Sequence, residues 1–349
     1  MTTLKQVAER AGVSSATVSK VLSNTPYVST GTRARVLEAV EALGYVPNLA
    51  ARALAHGRTY NIGVIFPLIY TSLFSDPQTL SILEGVERVA TPQGYNMLIS
   101  TPQIPVEDSA QVQRLLRSRY FDGVILLENL PDRLMSTFIA EHGYPYVAIG
   151  CNTLENTPNT IRIDDYDGAY AVARHLIELG HRHFGIIDVA LIAFFSMSER
   201  LRGYRAAMID AGIDDAAVIN APGSYTIASG AAAMNELLHA EPRPTAVLCV
   251  TDLMAIGAVN AAHSAGLRVP DDVSVVGFDD IPVAAHIDPP LTTVRQESQA
   301  LGETAARQLF GLLKKKRAAF DDTIVVPTTL IVRGSSGPAP QEVAQHRRD

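Results

Sequence analysis

The sequence predicts an all-α head over residues 1–46, a linking segment over 47–60 and a two-lobed α/β body with parallel sheets over 61–333. Three observations predict this. Apolar residues before position 45 recur at helical spacing. From Asn61 onward, short apolar runs alternate with amphipathic stretches. Charge divides at the same place: residues 1–60 hold seven Lys/Arg against three Asp/Glu, a balance of +4. The remainder carries −11 within a net charge of −7. A small basic head on an acidic body implies an anionic partner for the head alone.

In the head, Thr3 can cap a first helix with Leu4, Val7, Ala8 and Ala11 on one face, and Gly12 stops it. Ser14 can cap a second helix whose Val18, Val21 and Leu22 form a buried stripe. A third runs from Ser29 to Leu43 with Val36, Val40 and Leu43 inward, and Gly44 ends it. The short Gly-containing turn Ala11–Ser14 between the first two is a helix-turn-helix signature. With its stripe committed to the core, the second helix turns Ser15, Ala16, Ser19 and Lys20 outward. All but Lys20 are short, which lets the helix enter a major groove. Pro47 suits the start of a further helix and Gly57 its end. At about nine residues that helix is marginal alone in water.

In the body, the runs Ile62–Phe66, Asn96–Ile99, Gly123–Leu127, Tyr146–Ile149, Phe184–Ile187, Ala246–Val250 and Val273–Phe278 read as buried parallel strands. Helical stretches include Leu80–Ala90, Ala169–Leu179, Glu199–Ala211 and Leu253–Ala265. About seven strands suit two lobes, with ligand beyond the carboxyl ends of the strands. Residues 334–349, opening Gly-Ser-Ser-Gly-Pro-Ala-Pro, lack a core-forming pattern and are expected to be a disordered tail.

Several function classes are disfavoured. No run approaches 18 apolar residues and the first residues lack the apolar core of a signal peptide, so a cytoplasmic protein without membrane association is expected. Cys151 and Cys249 read as buried thiols, and His181-Arg-His183 is too few ligands for a metal. No dinucleotide, P-loop or nucleophile-elbow motif occurs, and the pair Asp164-Asp165 reads as a helix cap. Neither a cofactor nor catalysis is expected.

The stretch Leu4-Lys-Gln-Val-Ala-Glu-Arg-Ala-Gly-Val-Ser-Ser-Ala-Thr-Val-Ser-Lys-Val-Leu22 resembles the start of the lactose-repressor/galactose-repressor family, and Gly44-Tyr-Val-Pro-Asn48 with Ala51-Arg-Ala-Leu54 resembles its hinge. The resemblance implies that Ser15, Ala16 and Lys20 face base edges and that Ser14, Thr17, Ser19 and Asn24 anchor phosphates. It places Lys5, Asn48 and Ala51 among the DNA contacts and wedges Leu54 between base pairs, where an apolar wedge kinks the duplex. The family usually has Arg at the position of Lys20, and Lys lacks the planar fork for a bidentate guanine contact.

Further matches run to about Arg333. They imply a two-lobed fold like periplasmic sugar-binding proteins, a homodimer on a near-palindromic operator, and a small-molecule effector, a sugar or related metabolite, between the lobes. Ser198–Tyr204 brings Arg200 to the effector, Cys249–Gly257 brings Thr251 (often Asn in the family), Val276–Asp280 brings Asp279 and Leu291–Gln296 brings Gln296. Phe74 and Tyr225 are either aromatic walls of this site or core. The apolar Ala190–Phe195 either greases the cleft or extends a strand. The resulting expectation is an effector-controlled transcription regulator, a repressor as is usual in the family. The competing readings are a small-molecule-binding protein without operator recognition and a sugar-modifying enzyme.

Overall fold

The computed structural model describes residues 2–22, 27–46, 57–66, 74, 76–101, 114, 117, 120–127, 143–150, 158–189, 195–314 and 323–340. The chain divides into two compact units, Met1–Tyr60 and Asn61–Asp349.

The first unit contains α1 (Leu4–Ala11), α2 (Ser15–Leu22) and α3 (Thr30–Ala42). Their ends follow from local chemistry. Thr3 caps α1 reciprocally with Gln6, whose side chain accepts the Thr3 N–H at 2.8 Å. Gly12 closes α1 at φ +65°, a left-handed backbone that suits glycine. Ser14 Oγ accepts the Thr17 N–H at 3.1 Å, and Ser29 Oγ accepts that of Thr32 at 3.3 Å. Val7, Ala8, Ala11, Val18, Val21, Val36 and Ala39 form the core, with Leu22, Val40 and Leu43 packed at its margin. The deepest residues of α3 are therefore Val36 and Ala39.

The second unit holds two parallel sheets. Its strands are β1 (Asn61–Ile65), β2 (Asn96–Ser100), β3 (Gly123–Leu127), β4 (Tyr146–Ile149), β5 (Thr160–Ile163), β6 (Phe184–Asp188), β7 (Val218–Pro222), β8 (Ala246–Cys249), β9 (Ser274–Val276), β10 (Thr293–Gln296), β11 (Ile324–Val326) and β12 (Thr328–Ile331). The N-terminal lobe has the order β11-β5-β4-β3-β1-β2, and the C-terminal lobe β7-β6-β8-β9. An antiparallel pair, β10 with β12, joins them, with Val294 opposite Leu330. The described strands thus exceed the seven expected. Strands such as β7, β11 and β12 are half-exposed and lack a buried apolar run.

Among the described residues, six helices cover the sheets: α4 (Pro77–Ala90), α5 (Asp165–Glu178), α6 (Phe195–Asp210), α7 (Ile227–Leu238), α8 (Asp252–Ser264) and α9 (Ser298–Leu313). They pack as the pairs α4–α9, α5–α6 and α7–α8. Glycine makes each pair close. A Cβ on Gly85 would strike the Gln299 carbonyl, one on Gly203 the Tyr166 carbonyl, and one on Gly257 the Ile227 carbonyl. The chain crosses between lobes after β5, after β10 and between β11 and β12.

The expected tail is corrected over its first part. Residues 334–340 lie against the C-terminal lobe. Ser335 is fully buried; its carbonyl accepts the Val275 N–H at 2.9 Å, and its hydroxyl donates to the Val275 carbonyl at 2.6 Å. His181 Nε2 lies 3.0 Å from the Gly337 carbonyl, which only accepts, so Nε2 carries the proton and Nδ1 accepts from Thr245 Oγ1 at 2.9 Å. Backbone and hydroxyl bonds hold this segment rather than apolar side chains, so hydrophobic patterning could not reveal it. Residues 341–349 and Cys151 lie outside the described residues. Cys249 is buried, and burial pushes its thiol pKa up.

Candidate functional site

In the first unit, α2 exposes Ser15, Ala16 and Lys20, with Ser19 half-buried, while Val18 and Val21 point inward. Ser14 and Thr17 share a hydroxyl–hydroxyl bond of 2.9 Å at the helix start, where the backbone dipole favours an anion. Lys5 on α1 is also exposed. Arg33 reaches back from α3 to the Val21 carbonyl at 3.4 Å, bracing the end of α2. Asn24, Asn48, Ala51 and Leu54 lie outside the described residues.

In the second unit, polar groups gather at the carboxyl ends of the C-terminal lobe's strands. Arg200 projects from the buried face of α6, one turn before Tyr204, whose hydroxyl donates to the Cys249 carbonyl at 3.3 Å. Arg200 Nε donates to Asp165 Oδ1 at 2.8 Å, and Nη1 donates to the Val250 carbonyl and to Asp279 Oδ1, the latter at 3.4 Å. The guanidinium lies 3.8 Å from the Phe278 ring centroid. Arg200, Asp165 and Asp279 are all buried. Burial disfavours the Arg200 charge, but Asp165 and Asp279 more than offset it and keep it a cation. Burial is also the largest influence on both carboxylates and pushes their pKa values up, while Arg200 pulls them back.

Asp279 sits on strained backbone: it has φ +132°, and Asp280 after it has φ +56°. Several bonds impose this geometry. The Asp279 N–H donates to the Val294 carbonyl at 2.8 Å, and Gln296 Nε2 donates to Asp279 Oδ1 at 2.5 Å. Asp280 accepts from Arg295 at 2.7 Å and Arg333 at 2.6 Å. Beneath it, Asp252 accepts from Thr293 Oγ1 at 2.5 Å and from the Ile281 N–H at 2.9 Å. The N-terminal lobe reaches the same point, because Gln78 Nε2 donates to the Asp279 carbonyl at 2.7 Å.

Arg200, Asp279 and Gln296 thus come together in one hydrogen-bonded cluster. Thr251 is adjacent in sequence to Val250, but its hydroxyl caps α8 by accepting the Met254 N–H at 3.4 Å. Tyr225 has φ +59° and packs at the margin of the C-terminal lobe's core. Phe74 is 65% exposed, which sets it apart from the core.

The family profile for bacterial regulatory proteins of the lacI family matches residues 3–48, and the periplasmic binding protein-like domain matches 173–336. The HTH-type transcriptional regulator CelR of Thermobifida fusca is 35% identical over 335 residues, covering 95% of this chain and 98% of its own. The chain belongs to the LacI family. Among solved structures, the lac repressor dimer bound to operator and the anti-inducer ONPF superposes on this LacI-family chain with a TM-score of 0.86 at 29% identity, covering 96% of this chain and 99% of its own. The CelR–cellobiose complex superposes at 0.72 with 34% identity, covering 96% of this chain and all of its own. These relatives are transcriptional regulators, and so is this LacI-family protein.

Two members of the cluster were missed in the sequence. The Asp164-Asp165 pair divides its work: Asp164 caps α5 through the Asp167 N–H at 3.3 Å, whereas Asp165 is the buried counter-ion of Arg200. A second carboxylate beside the first was the available signal. Gln78 carried none, being one polar residue in a helix's first turn.

Proposed function

We propose that this LacI-family regulator binds operator DNA as a homodimer in the cytoplasm, as a repressor controlled by a neutral, hydroxyl-rich effector held at Arg200, Asp279 and Gln296. Phe74, Tyr225 and Thr251 complete the proposed effector set. The observation that carries this reading is the state of Arg200. Its charge is already answered by Asp165 and Asp279 at 2.8 and 3.4 Å. A phosphate or carboxylate placed there would meet two acids. A hydroxyl can donate to a carboxylate and accept from the guanidinium, so a sugar suits the cluster better than an anion. The CelR relative is solved with cellobiose, which supports the same class.

On the DNA side, the exposed Ser15, Ala16 and Lys20 form the reading face. Ser14, Thr17, Ser19, Asn24 and Lys5 contact phosphates, and Asn48, Ala51 and Leu54 contact the minor groove. The match to a lac repressor dimer on operator supports this arrangement. Leu98 and Ile99 on the edge strand β2, with Leu80 on α4, expose apolar surface suited to a second copy. No helix among the described residues is long and apolar enough to cross a membrane. No catalytic role is assigned, since Asp164 and Asp165 are engaged in a cap and an ion pair.

The test is a thermal-shift screen of the full chain against neutral mono- and disaccharides, sugar phosphates and uronic acids. Ligand at ~100-fold over its Kd stabilises by roughly 2.7 kcal/mol. A neutral sugar should raise the melting temperature, and Gln296→Ala and Arg200→Ala should lose the shift. Stabilisation by phosphorylated or acidic sugars with none from neutral ones would overturn the assignment of effector class. In gel shifts, Leu54→Ala should lose specific binding and keep salt-sensitive non-specific binding.

A further inference from the structure

Gln78 belongs to the N-terminal lobe, in the first turn of α4, yet its side chain works at the other lobe. The turn that carries it is pinned: Asp76 accepts the Gln78 and Thr79 N–H groups at 3.1 and 3.4 Å and the Thr79 hydroxyl at 2.7 Å. From that base Gln78 Nε2 donates to the Asp279 carbonyl at 2.7 Å, while Oε1 accepts from Ser298 Oγ at 2.5 Å. The Asp279 carbonyl can only accept and so must face the NH2 side of the amide, which leaves Oε1 for the Ser298 hydroxyl. One planar group therefore ties together the residue proposed to contact effector, the helix α4 and the start of α9.

What lies on each side of this amide gives it consequence. Asp279 is held at φ +132°, a backbone that persists only while its bonds persist. Its carbonyl has a weak second partner, the Gln296 N–H at 3.4 Å, so Gln78 is the stronger anchor. On the other side, α4 and α9 meet backbone to backbone at Gly85 and Gly302, so they move as one body. Their lobe begins with β1 at Asn61, where the first compact unit ends. A displacement of Asp279 is thus delivered to the lobe that joins the head in sequence.

We infer that Gln78 is a positioning residue that couples the effector site at Asp279 to the N-terminal lobe through α4 and α9. The inference rests on the proposed reading of Asp279 as an effector contact. Gln78 itself need not touch effector. It sets the backbone of the residue that does, and it carries that residue's movement across the cleft.

The test uses the full-length chain without effector, by hydrogen exchange on the wild type, Gln78→Glu, Gln78→Ala, Ser298→Ala and the Gln78→Ala/Ser298→Ala double variant. Gln78→Glu keeps the size and the acceptor for Ser298 but removes the donor to Asp279. Peptides spanning 277–281 and 293–297 should exchange ~10-fold faster in Gln78→Glu and Gln78→Ala, with β8 unchanged. The double variant should exchange no faster than Gln78→Ala alone, because both bonds belong to one amide. With an operator fragment selected by the wild type from random-sequence DNA, Gln78→Glu should shift affinity ~5-fold or more without any ligand. Unchanged exchange at 277–281, acceleration spread evenly over the body, or unaltered operator affinity would each overturn the inference. No arm depends on a sugar, so failure of the effector screen remains a separate result.

Discussion

Arg200 is answered by two acids rather than one, which sets both stability and chemistry. Removing one partner of a buried pair strands the other charge, so Asp165→Ala should cost about 3–5 kcal/mol in chemical denaturation. In a double-mutant cycle with Arg200→Ala the losses should be strongly non-additive, whereas simple additivity would mean that the pair does not act as a unit. Asp252 gives a pH signature. Burial pushes its pKa up to about 6, with the Thr293 hydroxyl and the Ile281 N–H pulling back. Since its folded pKa lies above the ordinary value of ~3.9, the stability it contributes is fully present below that value and is lost as pH rises through about 6. Between pH 4 and 6.5, wild type should lose on the order of 2 kcal/mol relative to Asp252→Asn. Parallel stability curves for the two proteins would exclude this role.

Among elements, helix pairing at glycine is the feature most exposed to single changes. Gly257→Ala forces a methyl into the Ile227 carbonyl across α7–α8, and such overpacking typically costs 1–3 kcal/mol, roughly. Gly31 in α3 faces open space at ordinary φ, so Gly31→Ala should stabilise the head by up to about 1 kcal/mol. Separate melting of the two units would show the first effect in the body and the second in the head; reversal of either sign would contradict the packing described. The same elements show what was legible. β3 and β4 match their expected ranges residue for residue, because both are buried parallel strands written as unbroken apolar runs. Helices α4, α5 and α6 begin three or four residues earlier than expected, because their first turns are polar or capped. The edge strands β7 and β11 escaped detection, because both are largely half-exposed and lack a buried apolar run.

At the scale of the whole molecule, charge and symmetry make the testable statements. The +4 head and −11 body direct DNA to one unit. The regulator should sediment as a dimer, and Leu98→Lys on the exposed edge of β2 should shift it toward monomer and weaken operator binding in parallel. A monomeric variant with undiminished operator affinity would contradict the dimeric reading. Linkage adds a constraint: operator must change effector affinity by the same factor as effector changes operator affinity.

By itself the sequence determined what local physics decides: the three head helices and the caps at Thr3 and Ser14, the parallel core strands, the charge division and the family motifs that pick out Arg200 and Asp279. Each depends on groups within a few residues of one another or on a recurring period. Only the tertiary structure decided how Arg200 is satisfied, that Ser335 and Gly337 belong to the body, and that Gln78 spans the lobes. Arg200 meets Asp165 across 35 positions, and Gln78 meets Asp279 across 201. Such pairs exist only once sheets and crossovers bring distant segments together, and burial then gives their charges and amides an energetic weight that no local pattern encodes.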